Sequence, residues 1–209
     1  MKSDPRLVIS TSAAGTDLKL SGEDLRKLKN RPKNHVYPGV LGYFITFRCY
    51  GTWLHGDQRG SIDWRHRAYK SPLLERDEER ERKEFKALKH SPVLLDERRR
   101  MIVDSAIREV AEHRTWTIYA LGVRSNHVHV VVTAETNPES VMNSLKSWTT
   151  RRMVEAGALP KGTKTWSRHG STRYLWTLEA LEIACRYVKE GQETVLRFEP
   201  LSAPSRSRY

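Results

Sequence analysis

His127 and His129 stand two residues apart in the run His127-Val128-His129-Val130-Val131-Val132. On a strand this spacing sends both imidazoles to one face while Val128, Val130 and Val132 fill the other. Two imidazoles side by side can share one cation. They would be a costly way to build an ordinary core, because a buried polar ring must find partners. Alone, a His-x-His pair has an equally ready structural explanation, so its context decides. Tyr187 is the third residue of interest. A free phenol ionises near pH 10 and is a weak nucleophile at neutral pH unless assisted. On a helix it lies about 100° from the centre of the stripe Leu181, Ala184, Cys185 and Val188, so it can reach sideways from a packed helix. Packing is the default reading of such a tyrosine; the histidines and a basic charge balance turn it towards nucleophile.

The surrounding pattern supplies elements that could position these groups. Tyr43 to Tyr50 is aromatic and β-branched and reads as a strand. Asp96 is placed to cap a helix whose Val103, Ala106, Ile107 and Val110 recur at helical spacing. Trp116 to Val123 reads as a strand, Arg124-Ser125-Asn126 as a turn, and His127 to Thr133 as the strand returning from it. Asn137 and Pro138 open a further helix as N-cap and first residue. Its face with Val141, Leu145, Trp148 and Arg152 lies opposite a basic and polar one with Asn143, Lys146, Ser147, Thr150 and Arg151. From Lys164 to Leu175 the Gly170 interruption predicts a bulged strand. Thr177 can cap a last helix that Gly191 would end. Strand, helix, strand, strand, helix, strand and an extra helix make an α+β, ferredoxin-like split βαβ plan with an antiparallel sheet. The expected domain covers 39–192 with a charged insertion at about 56–92, preceded by a polar basic arm at 1–38 and followed by a flexible tail at 193–209.

Composition narrows the partner. With 37 basic against 25 acidic residues the chain carries a formal charge of +12. That is the footprint of a phosphate-backbone binder, shared by ribosomal and membrane-surface proteins. Interleaved Trp, Tyr and His favour nucleic acid, since they can stack on bases. Two cysteines, Cys49 and Cys185, allow neither a disulfide framework nor a cysteine zinc site. No run approaches a membrane helix and no secretory segment opens the chain, so a cytoplasmic protein is expected.

The segments Asn126-His127-Val128-His129-Val130-Val131-Val132 and Arg186-Tyr187-Val188-Lys189-Glu190-Gly191-Gln192, with the polar helix of Ser144 to Arg152 and the Trp166 to Tyr174 strand between them, resemble the single-tyrosine HUH transposases of small bacterial insertion sequences and their REP-associated relatives. The resemblance runs from about Tyr43 to Gln192. It implies a transposase that nicks and rejoins single-stranded, hairpin-bearing DNA through a 5′-phosphotyrosine on Tyr187. It further implies Mg²⁺ or Mn²⁺ held by His127 and His129, and a homodimer. Such families often carry a third ligand, Gln or Asn, four residues after the tyrosine. Here that position is Gly191, so Gln192 is the favoured ligand and Glu190 the alternative. Expected DNA contacts are Arg48, Asn126, Asn143, Lys146, Arg151, Arg168 and Arg173. No nucleotide-binding loop is present, so no nucleotide cofactor is expected. A domesticated relative acting on genomic repeats is the nearest rival. A non-catalytic RRM-like RNA-binding module lacks its third-strand aromatic signature here, and a cupin-type metalloenzyme using Glu135 is disfavoured by the helix at Pro138.

Overall fold

The structure is a computed structural model that describes residues 22–29, 37–57 and 76–190. Its four strands are β1 (Gly42–Cys49), β2 (Thr117–Val123), β3 (His127–Thr133) and β4 (Trp166–Leu175). They form one antiparallel sheet in the order β2-β3-β1-β4. The arrangement is the expected α+β split βαβ plan. The aromatic and β-branched β1 lies in the interior, where it can be covered on both faces. It ends at Cys49, so Tyr50, expected in the strand, falls in the following turn.

Alternation along β1 and β3 gives the sheet two unlike faces. Tyr43, Ile45, Phe47, Val128, Val130 and Val132 join a large core with Val103, Ile107 and Val110 of one helix and Val141, Leu145 and Met153 of another. These helices lie at Glu97–His113 and Pro138–Glu155. In chain order they follow α1 (Gly22–Lys29) and α2 (Glu78–Lys86) and are α3 and α4. The Asp96 side chain accepts from Arg99 N–H at the start of α3, and Asn137 from Ser140 N–H at the start of α4, as the capping residues predict. A second, smaller core covers the other face: Phe44, Val131 and Leu175 meet Ala180, Leu181, Ala184, Cys185 and Val188 of α5 (Leu178–Glu190). Thr177 caps α5 through its hydroxyl, which accepts from Ala180 N–H.

The charged insertion is closed at its base, where Asp77 N–H donates to Gly56 O and Val93 N–H to Tyr50 O, each at 3.0 Å. Within it α2 buries no residue, in keeping with its solvated composition. The arm contains α1, in which Lys27 and Glu23 pair at 2.7 Å across one turn. Residues 58–75, Gly191 and the whole 193–209 tail lie outside the described residues. Among the described residues no helix is long and apolar enough to cross a membrane. Cys49 and Cys185 are buried free thiols, and burial pushes Cys49 up to about 12.

Gly170 is where the fold tolerates least. A Cβ there would stand 2.5 Å from both Met142 Sδ and the carbonyl oxygen of Thr46. The sulfur could move, but the carbonyl belongs to central β1 and could not. Gly170→Ala is expected to destabilise the protein by about 1–3 kcal/mol through overpacking, whereas the same change at Gly22, where nothing lies within 4 Å of the added carbon, should stay within about 1 kcal/mol. Urea unfolding of the two variants checks this; equal losses would mean that β4 yields at the bulge.

Candidate active site

The face beneath α5 carries the groups singled out by spacing. His127 opposes Arg48 and His129 opposes Thr46 across the β1–β3 ladder. The two imidazole centroids lie 4.6 Å apart. His127 Nδ1 lies 2.7 Å from Asn126 Oδ1, and His129 Nδ1 lies 2.8 Å from Thr46 Oγ1. With the amide oxygen facing it, Nδ1 of His127 carries the proton and donates, which leaves Nε2 with a lone pair. The Thr46 hydroxyl can accept in the same way from Nδ1 of His129. This is the outer-shell arrangement that prepares imidazoles as ligands. Nε2 of His129 is buried and has no hydrogen-bond partner. An orphaned buried nitrogen is costly, and a metal ion is one of the few partners that would satisfy it.

Tyr187 reaches this pair from α5. Its ring centroid lies 5.3 Å from that of His129 and 5.8 Å from that of Phe44, edge to face with each. Phe44 in turn lies 5.5 Å from His129. The helix can come so close because its contact residues are small and because Gly122, the β2 partner of His129, has no side chain: a Cβ there would meet Val188 Cγ1 at 3.2 Å. Tyr187 is half-buried, so its ring is fixed while its edge stays accessible.

The electrostatic setting is positive. Burial pushes His129 from its usual value down to about 3, helped by the charges of His127, Arg124 and Arg48. The imidazole is therefore neutral at physiological pH, as a metal ligand must be. Arg173 opposes Phe44 on the neighbouring strand and so shares this face. Burial lowers its guanidinium and the Tyr187 oxygen raises it. The residue is exposed overall, so its nearness to the phenol is the interaction that matters here. Arg48 stacks on Trp53 with its guanidinium carbon 3.2 Å from the ring centroid.

Not every expected residue joins the site. Asn143 and Arg151 are exposed on α4, which packs on the opposite sheet face. Lys146, expected on an open basic face, is 8% exposed instead, and its ammonium is held by backbone carbonyls of β4. Helical spacing set it opposite the Val141 stripe, but β4 closes over that side. Arg168 is exposed in the first part of β4. Glu190, the alternative third ligand, is exposed and lies 3.9 Å from Arg186 one turn back. Among the described residues no third His, Cys, Asp or Glu joins the two histidines in a metal-binding group. Gln192 lies outside the described residues. Sequence reasoning missed Thr46 and Phe44, although their alternation with Arg48 along β1 was the available signal.

Comparison with known proteins puts the same residues inside one match. The family model described as "Transposase IS200 like" matches residues 87–190, which include both histidines and Tyr187. No curated protein matches the sequence. Among solved structures, a REP-associated tyrosine transposase bound to a REP hairpin aligns with a TM-score of 0.42 at 14% identity over 72% of this chain. This chain spans 64% of that protein, just under two thirds. A candidate transposase from Deinococcus radiodurans R1 aligns with a TM-score of 0.39 at 14% identity, over 76% of this chain and 96% of that one.

The state of His129 has a consequence for stability. Unfolded, an imidazole takes up its proton near 6.5; folded, His129 refuses it until about 3. Its contribution is therefore intact above pH 6.5 and is lost as pH falls towards 3. In the presence of a chelator, the unfolding free energy between pH 6 and 5 should fall more steeply than in His129→Phe, by up to about 1.4 kcal/mol per pH unit. Phenylalanine retains the ring between Phe44 and Tyr187. Denaturant titrations at several pH values measure the two slopes, and identical slopes would contradict a buried neutral His129.

Proposed function

Over residues 87–190 this chain belongs to the IS200-like transposase family, and from that premise we propose that it cleaves and rejoins single-stranded, hairpin-bearing DNA through a covalent bond to Tyr187. The observation that carries this reading is the 5.3 Å approach of the Tyr187 ring to His129, whose Nε2 is buried without a partner. A purely structural tyrosine gains nothing from an unsatisfied imidazole beside it.

In the proposed step the phenolic oxygen of Tyr187 gives up its proton and attacks the scissile phosphorus in line with the 3′ oxygen. The new bond joins tyrosine to the 5′ phosphate. The phosphorus–O3′ bond breaks, and the departing oxygen takes a proton to become a 3′-hydroxyl. Attack by another 3′-hydroxyl reverses the step and releases Tyr187, so the strand is rejoined without an external energy source. Arg173, near the phenolic oxygen, and Arg48 and Arg124, whose charges reach His129, favour an anionic phosphate at this face. His127 and His129 would hold a divalent cation, Mg²⁺ or Mn²⁺, through Nε2, with Gln192 as the proposed third ligand. Such a cation would draw charge from a non-bridging phosphate oxygen. Asn126 and Thr46 keep the two rings in the tautomer this requires. A homodimer acting on paired DNA ends belongs to the same proposal; the contact of Tyr187 with His129 of its own chain supports a site completed within one subunit.

Tyr187→Phe removes the nucleophilic oxygen and keeps the ring against Phe44 and His129. With a labelled hairpin strand and Mn²⁺, the wild-type protein should form an adduct stable on a denaturing gel, and Tyr187→Phe should form none while binding the strand within about two-fold of wild type. His127→Ala should slow adduct formation by about 100-fold or more with little loss of binding. Mass spectrometry of the adduct identifies the residue; a persistent adduct in Tyr187→Phe would overturn the reading.

A further inference from the structure

The edge strand β4 is broken where it passes Arg48. The ladder pairs Phe47 with Gly170 and Cys49 with Trp166, so the single residue Arg48 faces the three residues 167–169. A bulge of this kind leaves backbone carbonyls without ladder partners. Lys146 fills the deficit from α4: its Nζ donates to the carbonyl oxygens of Ser167, Arg168 and His169 at 2.9, 3.4 and 3.2 Å. Trp166 Nε1 donates back to the Lys146 carbonyl at 3.1 Å, and the Ser167 hydroxyl to Cys49 O at 3.2 Å. The bulge is thus clamped from beneath by a buried cation. Burying an ammonium is expensive, and burial pushes the Lys146 pKa down. Blunting a sheet edge needs no such device, since an exposed lysine does it more cheaply.

What the clamp presents is a guanidinium and an imidazole. Arg168 and His169 stand exposed on the bulge, and among the described residues neither side chain enters an ion pair. Their place is close to the site. Arg48 is opposed by His127 on its other side, so β3, β1 and the bulge form one row across the sheet. With strands about 4.8 Å apart, the bulge lies about 10 Å from the His127 backbone. We propose that the Lys146-clamped bulge grips the phosphates of the DNA strand entering the His127–His129 site, with Arg168 and His169 as the contacts and Lys146 as their positioning residue. The inference rests on the reading of this face as the DNA-cleaving site.

The test measures binding, not cleavage, with a fluorescein-labelled oligothymidine strand over a range of salt concentrations. Arg168→Ala/His169→Ala, a surface change, should weaken binding about five- to ten-fold and lower the slope of log K against log salt by about 0.7, the loss of the one cationic contact of Arg168. Lys146→Met, with both contact residues intact, should reproduce that loss, and adding it to the double variant should weaken binding no further. Should Lys146→Met not fold, Lys146→Gln takes its place. The proposal is overturned if the surface variant binds as wild type, or if the Lys146 change lowers the melting temperature while leaving affinity and salt slope unaltered. It is equally overturned if the two losses add. Because no adduct is read, a Tyr187 that fails to react leaves this result standing.

Discussion

The 2.8 Å hydrogen bond between Thr46 Oγ1 and Nδ1 of His129 joins the two central strands on the face for which the chemistry is proposed. It depends on register. A slip of β3 by one residue would set a valine opposite Thr46 and carry His127 and His129 into the core occupied by Val128, Val130 and Val132. That core prevents the slip, because Tyr43, Ile45 and Phe47 are fully buried against α3 and α4 on the far side. The packing of one face therefore fixes the polar geometry of the other. An imidazole with an unsatisfied nitrogen can persist only in such a frame, since any looser arrangement would let water or another donor reach it.

Much of this was legible because it rests on periods that sequence displays. The period of two in the β3 run separated histidines from valines, and the helical recurrence of Val103, Ala106, Ile107 and Val110 marked the face of α3. Asp96 and Asn137 announced their helices through short-range chemistry that needs no tertiary context. What stayed hidden depends on contacts between distant segments. Lys146 has a sequence neighbourhood like that of any exposed helix lysine, and only the closure of β4 over α4 turns it inward. Thr46 is one hydroxyl on a strand until β3 brings His129 beside it, 83 residues along the chain. Glu190 lies 3.9 Å from Arg186, at the four-residue spacing that suits an ion pair on a helix.

The electrostatics of the two faces differ in kind. On the α3–α4 side charges are matched: Glu109 joins Arg152 and accepts from Trp148 Nε1, and Arg152 also bonds Glu155. Such exposed networks add little net field. On the histidine face the nearby charged groups named by geometry are Arg48, Arg124 and Arg173, with no carboxylate joining the histidine pair among the described residues. A divalent cation gains less from two neutral imidazoles amid arginines than from carboxylates. A phosphate at the same place attracts both the cation and the arginines. Binding of cation and DNA strand should therefore reinforce each other, since each supplies charge that the other lacks.

The position of Tyr187 follows from what α5 leaves out. Ala180, Ala184 and Cys185 present little bulk to the sheet, and Gly122 presents none, so the helix axis can approach closely. A larger residue at any of these places would raise the helix and carry the phenol away from His129. Each of these small residues buries less apolar surface than the leucines and valines between α3, α4 and the sheet. Proximity to the histidines and firm anchorage of the helix are thus opposed by the same side chains. The compromise would suit the nucleophile proposed for Tyr187, which would end one step bonded to a DNA strand.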